Sequence, residues 1–293
     1  MRVLLVAAIA VSIGSSGCLP GRQAQAPAMA KRPIVEGTPA ETIRLDVAVV
    51  ERPAGDHYLN HDVWDMADEQ AIDLERKPVL DDNGLRAGLI GGLLPADLLA
   101  LLSSDRTCPE PHRIRLQAGT ASPLPMGRQQ SRCAFDLHAG RGATAVSLQD
   151  ASCFLEVTPT LAEDGRIMLH LTPVIRHGTS RVEPRAVRDA SGEHRWDMKA
   201  EQSTETYEAL SWDLAVNPDE YAVIGTRIER ADTLGQRFFL DPEAATPIQR
   251  LLVIRCGRVL ADASMDLQGK ERVAPPLALQ AGWRTARGTA PAR

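Results

Sequence analysis

Aromatic side chains are scarce in this chain: 4 Trp, 3 Tyr and 4 Phe among 293 residues. A membrane β-barrel that stands alone carries girdles of aromatics at both interfaces, and so few residues furnish them poorly. Strong basic charge is lacking too. The formal charge is −5 and no long run of Lys or Arg occurs, which argues against a protein held to nucleic acid by phosphate neutralisation. No apolar run reaches the roughly 18 residues that a membrane-spanning helix needs. Motifs of the G-x-S-x-G, H-E-x-x-H and P-loop kinds are absent, so no standard nucleophile, zinc or nucleotide signature marks an enzyme. The 5 cysteines include no C-x-x-C, the spacing that zinc sites and thiol-exchange motifs most often use.

What is present begins with an export signal. Arg2 precedes the apolar run Val3 to Ile13, and Ser15, Ser16 and Gly17 lead to Cys18. A run this short reads as the core of a signal peptide at 1–17. The placement of Cys18 after Gly17 resembles a bacterial lipobox, with Ser15 where Leu is usual. That resemblance implies lipidation of Cys18 and a membrane contact through the lipid; simple cleavage and release is the alternative. Residues 18–41 carry Pro20, Pro27, Pro33 and Pro39 among alanines, a semi-extended tether. Residues 262–293, with Pro275 and Pro276 and no apolar period, are expected as a disordered tail. Residues 42–261 are left for the fold.

Within that span the dominant period is two. Ile43, Leu45, Val47 and Val49 alternate with Arg44, Asp46 and Ala48, which predicts a half-buried strand ending at Arg52-Pro53. A short helix is expected over Val63 to Ile72, capped by Asp62, and another over Pro95 to Leu102, where Pro95 needs no N–H donor. Strands are predicted at Leu85–Ile90, Arg113–Gln117, Arg132–Leu137, Thr204–Val216, Tyr221–Ile228 and Gln249–Cys256. Between Cys153, Leu155, Val157 and Ile167, Leu169, Leu171 lies Asp164-Gly165, a strong hairpin signal. Thr158-Pro159 and Thr172-Pro173 put one proline in each arm at similar distances from the turn. Each removes a ladder donor, so each arm should bend, bulge or face an edge there. The polar stretch His177 to Gln202 is expected as a long loop or mobile insert. The fold class expected is α+β: a curved, mainly antiparallel sheet with a few short N-terminal helices.

The segments Phe154 to Pro159 and Glu163 to Pro173 resemble the central hairpin of the secretin domain, the family of multimeric outer-membrane channels of type II and III secretion and type IV pili. Leu214 to Gly225 resembles that family's next strand pair, ending at Gly225, with Thr226 in place of a second glycine. The resemblance covers most of residues 43–255 and marks Thr158, Pro159, Asp164, Gly165, Thr172, Pro173 and Gly225 as its structural motif. It implies a secretin-like fold, a homo-oligomer or envelope and secretion components as partners, and a place in the cell envelope, periplasmic or attached to the outer membrane. Only the tether separates Cys18 from Ile43, so no ring-building modules are expected before the domain. With few aromatics, a non-catalytic envelope or assembly role is expected over a free-standing pore. The alternative is a monomeric extracytoplasmic binding module or hydrolase using the 177–202 loop.

Chemical constellations add little. His57, His61, Asp62 and Asp65 are expected as solvated surface rather than metal ligands, and Asp81-Asp82-Asn83-Gly84 as an ordinary turn, since the calcium-loop pattern lacks its terminal Glu. The acids between Asp62 and Asp82 read as a solvated face. His170 is expected at a surface or interface, and no cofactor is called for. Of Cys108, Cys133, Cys153 and Cys256, the pair Cys133 and Cys153 is the preferred disulfide, because both lie near the ends of strands that a 19-residue connection joins; buried free thiols are the alternative.

Overall fold

The computed structural model describes residues 41–140, 142–188 and 194–259. The signal peptide, most of the tether with Cys18 and the 262–293 tail lie outside the described residues. In chain order the elements are β1 (Thr42–Pro53), α1 (Val63–Met66), α2 (Arg76–Asp82), β2 (Leu85–Ile90), α3 (Ala96–Ser103), β3 (His112–Gln117), β4 (Ser122–Pro125), β5 (Gln130–Ala139), β6 (Gly142–Leu161), β7 (Ile167–Arg188), β8 (His194–Thr206), β9 (Trp212–Val216), β10 (Tyr221–Thr226), α4 (Leu234–Phe239), β11 (Leu240–Asp241) and β12 (Ile248–Val259). The class is α+β: mostly antiparallel sheets that do not close, with few short helices.

The first sheet runs β2-β10-β12-β1-β3, with β11 also on β12. Both of its faces are covered. Ala48, Val50, Val223, Leu251 and Val253 pack with Val63, Trp64, Leu98 and Leu102, while Leu45, Val47, Ile224, Leu252 and Ile254 belong to the main core. Covering both faces removes the need for polar alternation, which is why Ala222 to Ile224 and Leu251 to Ile254 are unbroken apolar runs. Gly225 lies under the Trp64 ring: a Cβ there would stand 3.1 Å from Trp64 Cζ2 and 3.3 Å from Leu251 Cδ1. Any larger residue at this motif position would have to push the Trp64 ring or Leu251 aside by a few tenths of an ångström.

The second sheet runs β4-β6-β7-β8, with β5 on the first half of β6 and β9 on the first half of β7. Leu155, Val157, Leu169, Leu171, Ile175, Trp212 and Leu214 give one face of it to the main core, shared with the first sheet, α2 and α4.

Several local expectations need correction. The Val63 to Ile72 helix is broken: a π-turn over Tyr58–Asp62 leads into α1, the chain is extended at Ala67, and a 3-10 turn follows at Glu69–Ala71. Asp62 does not cap it, whereas Asp56 accepts from the Leu59 amide at 3.2 Å. The Asp81–Gly84 turn is the end of α2, with Gly84 at φ 70°. Helices are not confined to the N-terminal part, since α4 follows β10. The strand expected over Thr204 to Val216 divides at a 3-10 turn, Glu208–Leu210. The acids between Asp62 and Asp82 are not all solvated: Glu69 is the hub of ion pairs with Lys77, Arg86 and Arg227. Burial raises its pKa, but the hydrogen bonds from Lys77 and Arg86 outweigh that and hold it below the ordinary glutamate value. The largest correction is at 177–202. There β7 continues to Arg188 and β8 returns from His194, so the expected loop is a two-stranded ribbon.

Candidate functional site

The Thr-Pro hairpin is the base from which the site is built. Its arms pair without a slip from Leu161 opposite Ile167 to Ser152 opposite Arg176. The turn closes through Gly165 N–H to the Ala162 carbonyl at 3.0 Å, with Gly165 at φ 92°, the left-handed position glycine occupies at least cost. Asp164 accepts from the Arg166 amide at 3.0 Å and from its guanidinium at 2.7 Å, and these bonds keep its pKa below the ordinary aspartate value.

Neither proline bulges its arm. Pro159 lies beyond the last β4 pairing, Ser122 opposite Val157, and its carbonyl accepts from Gly119. Pro173 falls where β7 changes its outer partner, after Leu171 pairs with Trp212 and before Val174 pairs with Thr206; its carbonyl accepts from Tyr207. Within a strand the amide and carbonyl of one residue point to the same side. Both missing donors therefore fall on edges or gaps, where no ladder bond is lost. Thr158 and Asp213 flank His170 in register, and His170 Nδ1 lies 2.7 Å from the Asp213 carboxylate in a half-exposed pair. Thr172 is buried at 5% exposure.

Beyond their shared base β6 and β7 diverge. On β6 the change comes at Asp150, φ 50°, where the strand exchanges β7 for β5. On β7 it comes between His177 and Arg181, where the register to β8 shifts beside Gly178, φ 77°. Two ribbons result. In β5–β6 the apolar rungs Cys133 with Leu148 and Phe135 with Val146 pack in or against the main core. The ribbon is clamped from outside as well: Asp136 N–H donates to the Asp232 carbonyl at 2.7 Å, Arg237 Nε to the Ala134 carbonyl at 2.6 Å, and Asn83 both donates to the His138 carbonyl and accepts its amide.

The β7–β8 ribbon follows another rule. Rungs of Val182 with Ala200, Pro184 with Met198 and Ala186 with Trp196 alternate with rungs of Arg181 with Glu201, Glu183 with Lys199 and Arg185 with Asp197. From Arg181 to Ala186 apolar residues are in register with apolar ones and each charge with its opposite; the last rungs, Val187 with Arg195 and Arg188 with His194, depart from this pattern. Alternate rungs of a pleated ribbon fall on opposite faces. Val182 is 57% and Trp196 69% exposed, and Pro184 is exposed too.

Near the base of β5–β6 is a cleft of about 180 Å³ lined by Arg128, Arg132, Arg237 and Arg250 together with Gln130 and Asp241. Arg250 is neutralised by Glu51 and Asp241, and Arg237 pairs with Asp232. All four cysteines of the described residues are free and buried, so the disulfide expected between Cys133 and Cys153 is not formed. Among the described residues no three His, Cys, Asp or Glu are placed to hold a metal ion; His57 and His61 stack at 4.8 Å on the exposed surface. The clamp at Asn83 and the arginine cleft were not anticipated from sequence, because their members are far apart in the chain and form no motif.

No protein-family model matches the chain, and no curated protein matches it. Among solved structures it is weakly similar to the InvG secretin domain β-barrel from the Salmonella SPI-1 injectisome, at 8% identity and a TM-score of 0.18, over 78% of this chain and 63% of that one. The cryo-EM structure of the same Salmonella secretin matches at 8% identity and a TM-score of 0.16, with 78% of this chain and 65% of that one covered. A third, the InvG, PrgH and PrgK basal-body structure, gives 8% and 0.16, with 46% of that chain covered. The chain therefore spans less than two thirds of the chains it matches.

Proposed function

We propose that this chain is an exported, non-catalytic, secretin-like component of a cell-envelope or protein-secretion assembly, anchored through a lipid on Cys18. Copies join through their sheet edges, and the β7–β8 ribbon meets the membrane or a neighbouring ribbon. The observation that carries this reading is the ribbon's alternation of apolar and charged rungs, with Val182 and Trp196 left uncovered. Exposed apolar side chains in register on one ribbon mark an interaction site, and a protein that acts alone in water has no use for them. The apolar rungs run from Val182 to Ala186, about 13 Å at 3.3–3.4 Å per residue, roughly half of the ~25 Å apolar band of a membrane β-structure. A two-stranded ribbon cannot satisfy its own outer edges in lipid, so membrane contact requires further strands from other copies. The Cys18 lipid would keep the chain at the membrane surface while those copies gather.

Chemical cross-linking and negative-stain imaging of the detergent-extracted full chain test the reading. Rings or heat-resistant multimers are expected; a monodisperse monomer at every concentration overturns it.

A further inference from the structure

The β7–β8 ribbon has two free edges, and they are not alike. β8 ends the second sheet, and beyond Arg176 β7 has no partner but β8 among the described residues. The Tyr207 amide donates to the Pro173 carbonyl, so that rung and every second one after it are the hydrogen-bonded rungs of the pair. β8 runs unbroken from His194 to Thr206, whereas the register shift between His177 and Arg181 adds its extra residues to β7. The odd-numbered residues of β8 therefore turn their backbone groups to β7, and Trp196, Met198 and Ala200 turn theirs outward. On β7 the outward positions beyond the shift are Val182, Pro184 and Ala186. Pro184 has no N–H to give, which closes that edge to a further strand. β8 carries no proline, so its edge is the open one.

We infer that the open edge of β8 pairs with the same edge of a second copy of this chain, antiparallel about a two-fold axis at Met198. The inference rests on the assembly reading above and names the contact that begins it. Along β8 the residues Arg195, Trp196, Asp197, Met198, Lys199, Ala200 and Glu201 form a self-complementary series. With Met198 opposite its own copy, Asp197 falls opposite Lys199 of the second copy, Arg195 opposite Glu201 and Trp196 opposite Ala200. The two-fold axis repeats each pairing, so every rung from Arg195 to Glu201 joins opposite charges or two apolar residues. Its hydrogen-bonded rungs are those of Trp196, Met198 and Ala200, whose backbone groups already face outward. Moving one copy by two residues brings Lys199 opposite itself and Asp197 opposite Glu201, or Asp197 opposite itself and Arg195 opposite Lys199. Like charges directly opposite are destabilising, and this fixes the register. The product is a four-stranded sheet, β7-β8-β8-β7, with Pro184 on both outer edges. Association by this edge therefore stops at two copies, and larger assemblies use other edges of the body.

Single cysteines introduced into the full chain test the pairing, read as disulfide-linked dimer on a non-reducing gel after diamide treatment of the detergent extract. The wild-type chain, whose four described thiols are buried, is the blank. Met198→Cys sets two thiols opposite each other at the axis, at the Cα separation of about 5.5 Å that a disulfide spans, and a dimer band should appear. Ala200→Cys, displaced from its copy by about 13 Å along the strand, and Pro184→Cys, on the far edge, should link several-fold less. Adding Arg195→Glu to Met198→Cys places a glutamate opposite Glu201 at two rungs, while inside the ribbon that position meets only Val187; the linked fraction should fall several-fold. Linking at Ala200→Cys or Pro184→Cys as strong as at Met198→Cys overturns the register, and a linked fraction unmoved by Arg195→Glu overturns the charge matching. Multimers without a Met198→Cys link overturn the pairing and leave the assembly reading standing. A linked dimer found only outside the membrane fraction of cells overturns that reading and leaves the pairing in place.

Discussion

The two ribbons that leave the Thr-Pro hairpin are built alike and treated differently. Both are antiparallel pairs that part at a residue of positive φ, Asp150 in one and Gly178 in the other. The β5–β6 ribbon lies on the body, its apolar rungs in or against the core and its backbone held by Asn83, Asp232 and Arg237. The β7–β8 ribbon presents Val182 and Trp196 uncovered. An isolated hairpin is marginal in water; the fold stabilises one ribbon, and under the proposed function a partner would stabilise the other. Substitutions in the first should therefore act on stability, and those in the second on assembly. The sharpest break comes at Phe135, which is 3% exposed and meets Tyr207 edge-on at 5.9 Å. Phe135→Ala should lower unfolding stability by about 3–5 kcal/mol, read from urea denaturation. A loss below about 1 kcal/mol would mean that the β5–β6 ribbon is as loosely held as its counterpart.

A smaller effect is expected at Asn83, which is fully buried and spans two elements: Nδ2 donates to the Val79 carbonyl at 2.8 Å and the His138 carbonyl at 2.7 Å, while Oδ1 accepts the His138 amide at 2.9 Å. Asn83→Ala leaves groups of the β5 end unsatisfied, at roughly 1–3 kcal/mol. Hydrogen exchange should quicken at β5 and the first half of β6, and leave β10 and β12 protected. Uniform acceleration across both sheets would show that the clamp serves the whole fold rather than one ribbon.

Legibility in sequence follows the same division. Strand β1, strand β2, helix α3, the Asp164-Gly165 hairpin and β12 were readable because one-sided burial, a turn that needs positive φ, or an unbroken apolar run each leaves a local signature. The β7–β8 ribbon was read as a loop because its alternation sets Ala, Pro and Met against charges, a contrast too faint to separate from polar loop composition until the register pairs Ala186 with Trp196. Helix α4 was missed because its six residues LGQRFF are too few to show a helical period; tertiary burial of Leu234, Phe238 and Phe239 defines it. Gly225 was singled out by resemblance alone, and its physical reason, the Trp64 ring across it, comes from a residue 161 positions earlier.

The smallest stability effect carries the largest functional one. Trp196 is 69% exposed and lies opposite Ala186 near the ribbon's end. Removing a side chain that is already in water forfeits almost no burial, so Trp196→Ser should change unfolding stability by no more than about 0.5 kcal/mol. If the apolar rungs meet lipid or a neighbouring copy, the same substitution removes the largest single contribution to that contact, because aromatic side chains dominate such interfaces. The multimer fraction in detergent extracts should then fall several-fold while the thermal unfolding curve stays in place. Loss of stability of the size expected for Phe135→Ala would place Trp196 on the body and erase the distinction between the ribbons; unchanged assembly with unchanged stability would leave the ribbon's alternation without a role.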